Sequence, residues 1–228
     1  ADLTAGLFCA LGILTALLER EKSGNGQWLH TSLLQSQAFM LDFQAARWLM
    51  KEELAPQVGN EHPTSVPTNR YLTQDGAVNI AIAGNETWRR LCEALDRPDW
   101  IDCEKYKTNA ERAKRRDQLN SDIAAIIQTK TSAECVDILT SAGVPCGPIY
   151  RIDEMFNDPQ VQHLGVAQPL KTVPFGDTFA MGQPVQLTRT PSRLTAAPPT
   201  RGQHTSEILS EIGINGAKMQ VLKSQSII

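Results

Sequence analysis

One carboxylate stands at the edge of a long apolar run. In ADLTAGLFCALGILTALLEREKSGNG, Asp2 is the only charged residue before Glu19. A carboxylate at a helix N-terminus lies against the positive end of the helix dipole and its unpaired backbone N–H groups. Two readings follow. Asp2 is an ordinary N-cap or first-turn acid, or it is placed there for chemistry, where the same donors stabilise an oxyanion on a bound group.

A second cluster is Gly59-Asn60-Glu61-His62-Pro63. Gly59 and Asn60 permit unusual backbone angles, and a Glu61–His62 pair suits general acid–base work, although an ordinary solvated loop has the same composition. Arg70 and the run at 111–116 (ERAKRR) can bind carboxylate or phosphate, but a charged run of this kind reads first as the solvated face of a helix. Gln203-His204-Thr205 reads as a helix cap. Five widely spaced cysteines without a CxxC pair and four scattered histidines predict reduced thiols and no metal site. There is no GxGxxG and no GK(S/T) phosphate loop.

The elements that must position these residues are partly legible. Helical spacing covers 4–22, with Leu7, Leu11, Leu14 and Leu18 on one stripe and small residues such as Gly6, Ala10 and Ala16 opposite, so a buried helix is expected. Ser23-Gly24-Asn25-Gly26 stops it. A short strand is predicted over 28–31 and one long helix over 33–53, then a proline-rich boundary. Asp75-Gly76 predicts a hairpin. Asn85 is expected to cap a helix burying Trp88, Leu91, Cys92 and Leu95. Thr108 with Glu111 and Thr131 with Glu134 read as capping boxes, and the second of those helices ends at Gly143, before an extended piece at 144–149. Asp158-Pro159 starts a short helix that ends at Gly165. Beyond it come extended segments with a turn at 175–177, a proline-rich loop, and two helices capped near Thr205 and Asn215.

At 228 residues with a net charge of −3, nothing predicts nucleic acid or an anionic membrane as partner. The uncharged stretch 3–18 is shorter than the roughly 20 residues needed to span a bilayer, so no membrane is expected, and the reduced thiols lead to the expectation of a cytoplasmic-type compartment. The first residue is alanine, and a processed or truncated chain is expected.

Taken together, the segments resemble the family III CoA-transferases, the CaiB/BaiF group. The resemblance runs in order through ADLTAGLFCALGILTALLEREKSGNGQWLHTSLL, GNEHPTSVP, TQDGAVNIAIAGNETWRRLCEAL, YKTNAERAKRRDQL, AGVPCGPIYRIDEMFNDPQVQHLG and GQPVQLTRTP. It implies an α/β protein, the C-terminal part of a fold whose large Rossmann-like domain is completed by both chain ends around a small α+β domain. Residues 1–56 and 166–228 would belong to the large domain and 57–165 to the small one, in an interlocked homodimer. Asp2 matches the family's nucleophile before the long apolar helix. Leu33 falls at an apolar CoA contact, Gly59, Asn60, Glu61 and His62 in the loop over the active site, and Arg70 at a position suited to an acceptor carboxylate. Acyl-CoA and a carboxylic acid are the implied substrates, with succinyl-CoA and a dicarboxylate nearest in feel, and with no tightly bound cofactor. The sister racemases of the same fold use a histidine upstream and a small-domain glutamate, which falls near Gly84 here, with Glu86 close by. Without a CoA-binding half the chain alone is expected to be inactive and poorly soluble, an inert fragment or a dimerisation module.

Overall fold

The structure is a computed structural model that describes residues 1–172 and 176–228. The turn expected at 175–177 lies partly outside the described residues. The chain forms two compact units, Ala1–Ile149 and Tyr150–Ile228.

The first unit opens with helix α1, Asp2–Ser23, ended by Gly24 at φ 77°, the left-handed conformation that glycine adopts without a Cβ penalty. The expected burial of this helix is not found. No residue of α1 is buried, and Leu3 and Leu7 are 86% and 72% exposed. The helix is also longer than the uncharged run. Its 22 residues are long and apolar enough to cross a membrane by length and composition alone, so the length argument against a span fails.

The strand expected at 28–31 is absent, because none of the described residues pairs with that segment and a strand needs a partner for its backbone groups. Trp28 is exposed and lies against His30. The single helix expected over 33–53 is two, α2 (Leu33–Phe39) and α3 (Phe43–Lys51). Asp42, with φ 49°, breaks the helical path between them.

A three-stranded antiparallel sheet follows, with order β1-β2-β3: β1 (Asn69–Leu72), β2 (Ala77–Ile80) and, later in the chain, β3 (Cys146–Pro148). The hairpin turn is where Asp75-Gly76 placed it, with Leu72 opposite Ala77. Between β2 and β3 lie α4 (Gly84–Ala94), a 3₁₀ turn at Pro98–Trp100, α5 (Asn109–Lys114), α6 (Arg116–Ile127) and α7 (Ser132–Ser141). Helix α4 starts one residue before Asn85, with Ala83 at the N-cap position, so Asn85 is a first-turn residue and not the cap.

The buried core lies between residues 66 and 144. The inward sheet residues Tyr71, Val78 and Ile80 pack with Trp88 and Leu91 of α4, Leu119, Ile123 and Ile127 of α6, and Leu139 of α7. Trp88, Trp100 and Tyr106 form an aromatic group with ring centroids 6.0–6.3 Å apart. Helix α7 carries the complete capping box: Thr131 Oγ1 accepts from the Glu134 amide, and the Glu134 carboxylate accepts from the Thr131 amide at 2.8 Å. Thr108 makes only its half, since Glu111 turns instead to Lys114 and Arg115. Just past the C-terminal end of α7, Gly143 holds φ 72°, and a Cβ there would meet Arg90 Nη1 at 2.8 Å.

The second unit contains α8 (Ile152–Asn157), α9 (Pro159–His163), the antiparallel pair β4 (Ala167–Thr172) and β5 (Gly176–Met181), then α10 (Thr205–Glu211) and α11 (Gly216–Ser224). Asp158 caps α9 as expected, accepting from the amides of Gln160 and Val161. The last two helices start where Thr205 and Asn215 indicated, but neither has a side-chain cap bond; His204 occupies the N-cap position of α10.

Candidate active site

Asp2 is the first residue of α1, and Ala1 holds the N-cap position without a side-chain cap. Of the two ordinary alternatives, N-cap or first-turn acid, the second is found: Asp2 is a first-turn acid whose carboxylate is not spent on capping. The first helical bond runs from the Ala5 amide to the Ala1 carbonyl at 2.9 Å. The amides before it have no carbonyl partner within the helix. An exposed carboxylate thus stands beside unpaired N–H donors.

Helix α2 is placed against α1 by an edge-to-face contact of Phe8 and Phe39 at 5.2 Å. The intervening segment crosses close to α1, where a Cβ on Gly12 would lie 3.6 Å from Leu29. Ser32 starts α2 by accepting from the Gln35 amide, and Leu33, its first residue, is 52% exposed. Leu33 is available as an apolar contact surface.

Gly59 holds φ 60° with open space around it, and Gly59 and Asn60 make no hydrogen bond among the described residues. Their neighbours are held on all sides. Glu61 accepts from Arg116 Nη1 at 3.2 Å and from Asn120 Nδ2 at 2.7 Å. His62 Nδ1 accepts from the amides of Thr64 and Ser65, which assigns the proton of a neutral ring to Nε2. The ring stacks on Phe43 of α3 at 6.1 Å. Glu61 and His62 therefore do not bond each other as an acid–base pair; each has its own partners. Among the described residues no hydrogen bond or ion pair joins Asp2 to this loop. Arg70 is exposed on β1 opposite Asn79, with no ion pair among the described residues.

The run at 111–116 is not simply solvated. Arg112 is 1% exposed, donates to the carbonyls of Val66 (2.7 Å) and Tyr106 (2.9 Å), and lies 4.8 Å over Trp88. Burial holds its pKa below the usual guanidinium value. Arg116 donates to the carbonyls of His62 and Pro63 as well as to Glu61. These two, with Asn109 and Asn120, were missed as partners of the loop. Part of the signal was in their spacing, 109 and 112 three apart on α5 and 116 and 120 four apart on α6, each pair on one face of its own helix.

Glu86 sits in the first turn of α4 and pairs with Arg89 and Arg90. Hydrogen bonds from those two guanidiniums hold its carboxyl down at about 2. Among the described residues no three His, Cys, Asp or Glu side chains gather as a metal site, and the cysteines are unpaired. A cavity of about 680 Å³ in the second unit, lined among others by Phe156, Val161, Phe179 and Met181, contains none of the candidate residues.

Residues 1–205 match CoA-transferase family III, and the chain belongs to that family. Its curated relatives include the human succinyl-CoA:glutarate CoA-transferase, 30% identical over 211 residues, covering 92% of this chain and 48% of the relative. The succinate–glutarate CoA-transferase of Agrobacterium fabrum is 32% identical over 216 residues, with 93% and 53% covered. The chain thus spans about half the length of these relatives. Among solved structures, a CaiB/BaiF family protein from Brucella suis superposes with a TM-score of 0.74 at 24% identity, covering 92% of this chain and 54% of that one. A Mycobacterium tuberculosis protein gives 0.76 at 19% identity, over 90% and 53%. The mixed α/β architecture is that of these structures.

Proposed function

We propose that the protein is an acyl-CoA:carboxylate CoA-transferase and that Asp2 is its nucleophile. The observation that carries this reading is the family match from residue 1, which includes Asp2 as an exposed, uncapped first-turn acid of α1. The Asp2 carboxylate attacks the thioester carbonyl of the donor acyl-CoA, and the CoA thiolate leaves, forming a mixed anhydride. The thiolate then attacks the aspartyl carbonyl, releasing the donor acid and leaving an aspartyl-CoA thioester. The acceptor carboxylate attacks that thioester and expels the thiolate again. Thiolate attack on the acceptor's acyl carbon finally yields the new acyl-CoA and frees Asp2. The unpaired amides at the start of α1 are suited to the charge on each tetrahedral oxygen.

The names of the relatives support succinyl-CoA as donor and a dicarboxylate as acceptor. In this reading Arg70, exposed and without an ion pair among the described residues, is the acceptor's carboxylate partner, and Leu33 and Gly59–His62 border the acyl-CoA. The same reading takes 1–56 and 166–228 as parts of the large domain and 57–165 as the small one, in an interlocked cytoplasmic homodimer. The exposed leucines of α1 then face protein and not lipid. No tightly held cofactor enters the scheme. Racemisation finds less support, because Glu86 is tied to two arginines.

The test uses the complete protein. After incubation with succinyl-CoA, hydroxylamine should trap the thioester, and mass spectrometry should place the hydroxamate on the peptide bearing Asp2. Asp2→Asn should lower turnover by about 10⁴-fold or more. An active enzyme without label at Asp2 would sink the assignment.

A further inference from the structure

We propose that Arg116 is a positioning residue for the segment beside the acyl site. This rests on the reading that Gly59–His62 borders that site. The side chains Asn109 and Arg112 of α5 and Arg116 and Asn120 of α6 all bond to the loop, Arg112 buried, Arg116 and Asn120 half-buried and Asn109 exposed. Asn109 accepts from the Val66 amide at 3.0 Å and donates to the Thr64 carbonyl at 2.8 Å. Arg112 takes the Val66 carbonyl. Arg116 takes the carbonyls of His62 (2.8 Å) and Pro63 (3.1 Å) together with the Glu61 carboxylate. Asn120 holds the other Glu61 oxygen and in turn accepts from the Tyr71 hydroxyl at 2.9 Å. Each carbonyl from residue 62 to 64 is thereby held, along with that of Val66.

The consequence is a division of the loop. Residues 61–66 are a platform fixed to the helices, and Gly59-Asn60 is a free tip. Arg116 is the member that touches both the Glu61 side chain and the backbone at His62 and Pro63. It sets where His62 stands and from which point the tip departs. Its planar fork reaches several acceptors at once, which a lysine ammonium does less well.

The experiment compares Arg116→Met and Arg116→Lys in the complete protein by hydrogen exchange and steady-state kinetics with succinyl-CoA and glutarate. In Arg116→Met, the amides of Glu61, His62 and Thr64–Val66 should exchange about tenfold faster, as expected on losing charge-assisted hydrogen bonds. The amides of Val78 and Ile80 should stay as protected as before. Turnover should fall about tenfold with KM for succinyl-CoA little changed, and Arg116→Lys should recover part of both losses. Unchanged exchange at 61–66 would overturn the clamp. Faster exchange with kcat and KM both unaltered would overturn the positioning role. It would also remove Gly59–His62 from the acyl site, while Asp2 trapping would stand or fall on its own.

Discussion

Replacing Arg112 with methionine removes a buried cation that has no carboxylate partner among the described residues. Its fork spans two carbonyls, those of Val66 at 2.7 Å and Tyr106 at 2.9 Å, and its plane lies over Trp88. Hydrogen bonds from a charged donor contribute about 1.5–3 kcal/mol each, and orphaning a buried carbonyl costs about 1–3 kcal/mol. The stacking on Trp88 adds about 0.5–2 kcal/mol. Against this stands the cost of keeping a guanidinium out of water, visible in its lowered pKa, which the methionine relieves. The side chain fills similar space, so the cavity contribution is small. We expect a net loss of about 3 kcal/mol. Urea unfolding followed by tryptophan fluorescence is the assay, since Trp88 and Trp100 stack within the same aromatic group. With a urea slope of about 1–2 kcal/mol per molar, the midpoint should drop by about 1.5–3 M. A loss below about 1 kcal/mol at unchanged slope would refute the reasoning. It would mean that desolvation cancels the two bonds, and that the arginine pins the loop at little net benefit to stability.

Two further outcomes follow from the same core. Thr131→Ala should cost about 1 kcal/mol in the same assay, because it removes one half of the capping box of α7. Stability should also decline as pH rises above about 9. Burial raises the Cys92 thiol to about 12 and the Cys146 thiol to about 11, and burial likewise raises Tyr71. Between their unfolded and folded pKa values these groups bind more protons when folded, so the slope with pH is negative there and the stability they hold is intact below pH 8. A flat alkaline limb in pH-dependent unfolding would count against their burial.

Local signals were sufficient where a short stretch carries its own reason. Asp75-Gly76 turned the hairpin, Thr131 and Glu134 closed their box, and Trp88 with Leu91 and Cys92 faced inward at helical spacing. They failed where an element needs a distant partner. Residues 28–31 have strand composition but no strand to pair with among the described residues, and the periodicity of 33–53 does not show the break at Asp42. The charged run at 111–116 misled for a related reason. Lys114 and Arg115 are solvated and paired with Glu111, whereas Arg112 and Arg116 point at carbonyls some fifty positions earlier in the chain. The periodicity predicts which residues share a face, but not that the face meets unsatisfied carbonyls.

By its residues alone the chain determined that Asp2 stands beside a helix start, that a glycine-led acidic and histidine-bearing loop follows, and which family it resembles. Those properties are written in local order and in composition. Only the tertiary structure decided that Asp2 is not the cap, that Glu61 and His62 are partnered elsewhere, and that the loop is fixed by α5 and α6. Each of these depends on which donor meets which acceptor across a long sequence separation. A backbone carbonyl accepts equally well from any donor that arrives, so the choice of Arg112 and Arg116 is made by packing.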